Sequence, residues 1–153
     1  MGMYFCLKWW IRKKLPINII NTKKAEGMHR KKETYSVVIT KDNKVVNVLE
    51  IAKDYIIVRF MNENMHSYLI YEFHTKDDQR VFLKGAYYRE YQEEKEIELT
   101  IYNFHENGYV FMEKQNLLTN EFEEREGQFN VESNWDKYPE FGKYDHLLKI
   151  ERE

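Results

Sequence analysis

The side chains with most chemical potential in this sequence are carboxylates gathered in two runs, Glu93, Glu94, Glu96 and Glu98, and then Glu121, Glu123, Glu124 and Glu126. Such clusters bear on catalysis only beside a positioned nucleophile, acid or base. The single cysteine, Cys6, has no histidine near it in sequence, so nothing is placed to turn its thiol into a thiolate. His29, His66, His74, His105 and His146 make no HExxH pair and no compact spacing with cysteine. His74 and His105 each close a strand-like segment, but a metal site there would need further ligands. Gly-rich phosphate loops, Walker sequences and dinucleotide fingerprints are missing too. The sequence therefore nominates no catalytic residue, no metal site and no cofactor.

Two roles remain for the acidic runs. They decorate hairpin edges, where charge discourages sheet-to-sheet association, or they form the rim of a protein interface around aromatic anchors. Anchors are supplied by the segment Asn134 to Leu148, with Trp135, Tyr138 and Tyr144. Pro139 constrains its own φ and holds Tyr138 extended, while Gly142 permits a left-handed turn, so these rings have defined places to pack. The segment reads either as a lid over the open end of a curved sheet or as the edge of a partner site. On the second reading the partner-binding residues are Glu121, Glu123, Glu124, Glu126, Trp135, Asp136, Tyr138 and Tyr144.

The elements that would position these residues are strands. Twelve Tyr and nine Phe bring the aromatic share to 16%, and such rings suit a half-buried pleated surface. From residue 35 onward, strand-like runs alternate with short polar breaks: Tyr35 to Thr40, Val45 to Ile51, Tyr55 to Met61, Ser67 to His74, Val81 to Tyr91, Ile97 to Phe104 and Tyr109 to Lys114. Ile97, Leu99 and Ile101 alternate with Glu98, Thr100 and Tyr102, which puts one face in a core and the other near water. Asn107-Gly108 is a strong hairpin signal, and Phe122 with Phe129 and Val131 adds one further strand. The expected fold is mainly β, an antiparallel up-and-down meander forming a curved sheet or partly closed barrel. A short helix over Tyr144 to Glu151 ends the chain, and residues 1–33 form a non-sheet segment before a single β-rich domain, 34–153.

That opening segment allows three readings: a first strand or short helix that packs Trp9 and Ile19 on the core before a loose connector, an extension upstream of a natural start at Met28, or an interfacial anchor of Trp with Lys and Arg. It holds nine Lys and Arg against Glu26 and Glu33, a net charge of +7, whereas residues 34–153 hold fifteen basic and twenty-four acidic residues, −9. An acidic body repels a nucleic-acid backbone and attracts a basic protein. One unpaired cysteine suits a reducing compartment, and the apolar start precedes its charges, the reverse of a secretory signal. A cytoplasmic protein without stable membrane association is expected.

The tail Asn134 to Leu148, following a charged meander with Asn107-Gly108, resembles small proteins of low-GC Gram-positive bacteria, among them immunity proteins that neutralise polymorphic toxins. The resemblance covers the last third of the chain and transfers no site residues. It implies a cytoplasmic, non-enzymatic binder that occludes a toxin, and the acidic body suits a basic nuclease. The alternative is a lipocalin-like carrier whose curved sheet encloses an aromatic-lined pocket.

Overall fold

A computed structural model describes residues 1–152. It contains β1 (Gly2–Trp10), β2 (Leu15–Ile20), α1 (Thr22–Arg30), β3 (Tyr35–Lys41), β4 (Lys44–Ile51), β5 (Tyr55–Met61), β6 (Ser67–Thr75), β7 (Arg80–Gln92), β8 (Lys95–Phe104), β9 (Tyr109–Asn116), β10 (Phe122–Gln128) and β11 (Trp135–Lys137). All of these strands join one antiparallel sheet in the order β10-β9-β8-β7-β6-β5-β4-β3-β1-β2, with β11 paired to the start of β7. From β3 to β10, chain order and spatial order coincide, because each connection is too short to reach anywhere but the adjacent position. Asp42 and Asn43, both with positive φ, make the two-residue turn between β3 and β4. That left-handed pair matches the twist of the strands it joins. Register shifts at Ile39/Thr40, Phe60/Met61, Glu72/Phe73 and Glu90/Tyr91 bend the sheet. It does not close: β2 and β10 are each paired on one side only.

Two expectations about the chain ends are corrected. Residues 1–33 are not a non-sheet segment: β1 lies between β2 and β3, and α1 carries the chain from β2 back to β3. Trp9 is buried, but Ile19 is 67% exposed, since β2 is the sheet edge and turns Ile20 rather than Ile19 to the core. The nine residues of α1 are too few to be stable alone. Asn21 caps them by accepting from the Lys24 amide at 2.8 Å, and Ala25 and Met28 pack into the core. The second correction is at the C-terminus, where Tyr144 to Glu151 holds only a 3₁₀ turn, Asp145–Leu147. Tyr144 and Leu147 are drawn into the core and Tyr71 donates to the Ile150 carbonyl, contacts that an α-helical path would break. The tail is also not all loop, because Trp135–Lys137 pairs with β7 as β11.

The main core is one face of this sheet. Tyr35, Val37, Leu49, Ile51, Ile56, Val58, Leu69, Phe73 and Val81 pack there with Phe5 of β1, Ala25 of α1, and Tyr138, Tyr144 and Leu147 of the tail. Each fully buried aliphatic side chain contributes roughly 1.5–3 kcal/mol. A polar chain runs through it: Tyr144 and Tyr35 hydroxyls meet at 2.9 Å, Tyr35 Oη meets His29 Nδ1 at 2.7 Å, and His29 Nε2 meets the Pro139 carbonyl at 3.1 Å. A carbonyl only accepts, so Nε2 carries the imidazole proton and Nδ1 accepts from Tyr35, which in turn accepts from Tyr144. On the opposite face a smaller cluster gathers Cys6, Trp9, Val38, Val48 and Met61.

Candidate functional site

β10 is the free acidic edge. Its cross-strand pairs set Phe122 opposite Gln115, Glu123 opposite Lys114, Glu124 opposite Glu113 and Glu126 opposite Phe111. Like charges directly opposed, as in Glu124 and Glu113, disfavour the sheet. Arg125 answers Glu123 at 2.6 Å, Lys114 answers Glu98 at 3.6 Å, and the Tyr109 hydroxyl donates to Glu126 at 2.6 Å. That hydrogen bond to a carboxylate raises the Tyr109 pKa. Glu121, Glu123, Glu124 and Glu126 are exposed together along this edge, as is Phe122, at 64%. Phe122 separates two shallow clefts: one of about 340 Å³ lined by Glu98, Lys114, Glu121 and Glu123, and one of about 290 Å³ lined by Glu113, Gln115, Leu117 and Glu121.

The aromatic half of the nominated site lies elsewhere. Trp135 stands edge-on to Phe82 at 5.0 Å with the Arg80 guanidinium over its ring at 4.7 Å. Asp136 pairs with Arg152 at 2.5 Å. Tyr138 is buried, its hydroxyl donating to the Ala52 carbonyl at 3.0 Å, and Tyr144 is 1% exposed. β8 and β9 stand between β10 and β7, which carries β11. The four glutamates thus share one edge, whereas Trp135, Asp136, Tyr138 and Tyr144 hold the tail onto the fold.

A third surface has no counterpart among the sequence candidates. Tyr88, Tyr102, Phe104, Val110, Phe129 and Val131 line a groove of about 300 Å³ beside the main core. Tyr102 stacks on Phe104 at 6.1 Å and takes Tyr88 edge-on at 5.7 Å. The period-2 spacing of Tyr102 and Phe104 signals a shared face, but Phe129 and Val131 arrive by a loop that no periodicity places.

Nucleophilic and metal chemistry has little material here. Cys6 is fully buried, its thiol contacts the Lys8 carbonyl at 3.3 Å, and burial raises its pKa. His74 pairs with Glu72 at 2.6 Å and His105 packs against Tyr109. Among the described residues no three His, Cys, Asp or Glu side chains are grouped to hold a metal, and no helix is long and apolar enough to cross a membrane. No family model matches the sequence, and neither a curated protein nor a solved structure matches it.

Proposed function

We propose that this protein is a cytoplasmic, non-enzymatic binding module of the immunity type, docking a basic protein partner along β10 and occluding it. The observation that carries this reading is the coincidence of an unpaired sheet edge with four exposed glutamates around the exposed Phe122. Burying the ring supplies affinity, and the carboxylates accelerate encounter with a positive surface and set orientation. Charge on an edge also guards against self-association, and one device can serve both ends.

The test is capture from the native host at low and moderate salt, comparing the wild-type protein with a Glu121→Lys/Glu123→Lys/Glu124→Lys/Glu126→Lys variant. Retention of a basic protein by the wild type alone, weakened by salt, is expected. Retention of no basic protein, or equal retention by both, refutes the reading. The groove at Tyr88, Tyr102 and Phe104 favours a second reading, a small-ligand carrier. Native mass spectrometry of freshly purified protein then finds a bound small molecule, and a bare mass ends that alternative.

A further inference from the structure

On the face opposite the main core, three cationic side chains and a histidine converge on one pocket. It measures about 300 Å³ and takes Arg59 from β5, Arg89 from β7, Lys14 from the β1–β2 turn and His66 from the loop before β6. Trp9, Met61, Met65 and Ile70 supply an apolar wall, and Tyr91 stacks on His66 with ring centres 4.4 Å apart. Sheet register explains the convergence. Arg59 lies opposite Ile70, Ile70 lies opposite Tyr87, and Arg89 follows two residues on along the same face.

These groups are only partly answered by the chain itself. Among the described residues the Arg59 guanidinium makes no hydrogen bond or ion pair, although Arg59 is half-buried. Arg89 reaches Glu96 at 3.4 Å through one terminal nitrogen, and both its Nε and the Oε1 of Glu96 are buried with no partner. His66 Nδ1 is buried and unpartnered as well. Glu50, the carboxylate that offsets Arg59 from a neighbouring strand, is already engaged by the Tyr55 hydroxyl. A buried donor without a partner costs about 1–3 kcal/mol, more when charged, so a purely structural arrangement of this kind is unfavourable. At the rim one internal anion partly fills the gap: Glu94 extends from the β7–β8 turn to His66 Nε2 at 2.8 Å and to Lys14 Nζ at 3.8 Å. Glu94 is 74% exposed at the two-residue turn between Gln92 and Lys95, so its side chain is free to yield its place.

We infer that this pocket binds a small organic oxyanion, a carboxylate or phosphate carried on an apolar or aromatic body. Guanidinium groups hold either oxyanion by paired charge-assisted hydrogen bonds. Trp9, Met61 and Ile70 pack the body, and Glu94 swings out as the ligand enters. The site is independent of the acidic edge, which belongs to the other end of the sheet.

The test is titration of the full chain with phenylacetate and phenyl phosphate, followed by ¹H–¹⁵N spectroscopy at the Trp9 indole. Acetate, inorganic phosphate and benzyl alcohol are the controls. Saturable shifts with at least one aromatic anion are expected, with benzyl alcohol at least about tenfold weaker. Arg59→Gln/Arg89→Gln lowers affinity at least about tenfold. Because that variant also changes a packed face, Glu94→Gln provides an opposite-signed check: removing the internal competitor strengthens binding about threefold or more. No saturable shift with either aromatic anion, equal binding of benzyl alcohol, or Glu94→Gln leaving affinity unchanged or weaker overturns the inference.

Discussion

Replacing Tyr35 by Phe removes the middle link of the buried chain Tyr144, Tyr35, His29 without changing the shape of the ring. Tyr35 and Tyr144 are 0% and 1% exposed, so water cannot take over the lost partners. Tyr144 loses its acceptor at 2.9 Å and His29 Nδ1 loses its donor at 2.7 Å. At about 1–3 kcal/mol for each of the two orphaned groups, Tyr35→Phe costs about 2–6 kcal/mol. Tyr144→Phe removes only the outer donor and leaves the Tyr35 to His29 bond intact, so it costs about 1 kcal/mol. In the double variant the orphaned Tyr144 hydroxyl is gone too, and stability is no lower than in Tyr35→Phe alone. Urea unfolding of the three variants, read at constant m-value, measures this order. Equal losses for the two single variants, or a larger loss for Tyr144→Phe, would refute the proton assignment on which the order rests.

Three further outcomes follow from the same geometry. Burial, with Lys32 nearby, holds the His29 pKa below its ordinary value of about 6.5. The unfolded chain then takes up the proton first as pH falls, so the His29 contribution is complete above about pH 6.5 and declines below it; urea midpoints between pH 7.5 and 5 must fall more steeply for the wild type than for His29→Gln. Gly108 has φ +94°, and a Cβ there would lie 2.7 Å from the Phe129 carbonyl oxygen, whereas Gly142, at φ +81°, has open space around it. Thermal unfolding is expected to show Gly108→Ala costing about 2–4 kcal/mol and Gly142→Ala only about 1–2, and equal losses contradict the clash. Arg152 donates to Asp136 at 2.5 Å and to the carbonyls of His146 and Ser133 with 8% of its side chain exposed. Arg152→Ala leaves Asp136 uncompensated and lowers stability by about 2 kcal/mol in urea unfolding, a loss below about 0.5 kcal/mol contradicting its role as the tail's clasp.

Strands β3 to β9 could be read from the chain because they are governed locally. Strand-length runs joined by short polar turns such as Lys41 to Lys44 leave each strand one place to go, but the alternation of Ile97, Leu99 and Ile101 indicated the wrong face: all three are only half-buried, and it is Tyr102 and Phe104 that pack on the main core. The acidic runs were equally plain, and the glutamates at 121, 123, 124 and 126 do share an exposed edge. Burial of the tail rings was not decidable from composition: Tyr138 and Tyr144 suit an anchor and a core residue alike until their hydroxyls find Ala52 and Tyr35. The ends misled for a related reason. Leu15 to Ile20 contains Pro16 and a left-handed Asn18, which weaken a strand reading, yet an edge strand tolerates both.

What the sequence determines alone is the antiparallel meander and its charge asymmetry, since period-2 patterning, turn chemistry and net charge act over a few residues and need no distant partner. Tertiary structure decides the rest: β1 inserting between β2 and β3, nine residues becoming α1, the tail sealing the core, and Lys14, Arg59, His66 and Arg89 meeting around one pocket. Those outcomes depend on side chains far apart in the chain, whose free energies exist only once the sheet has set their register.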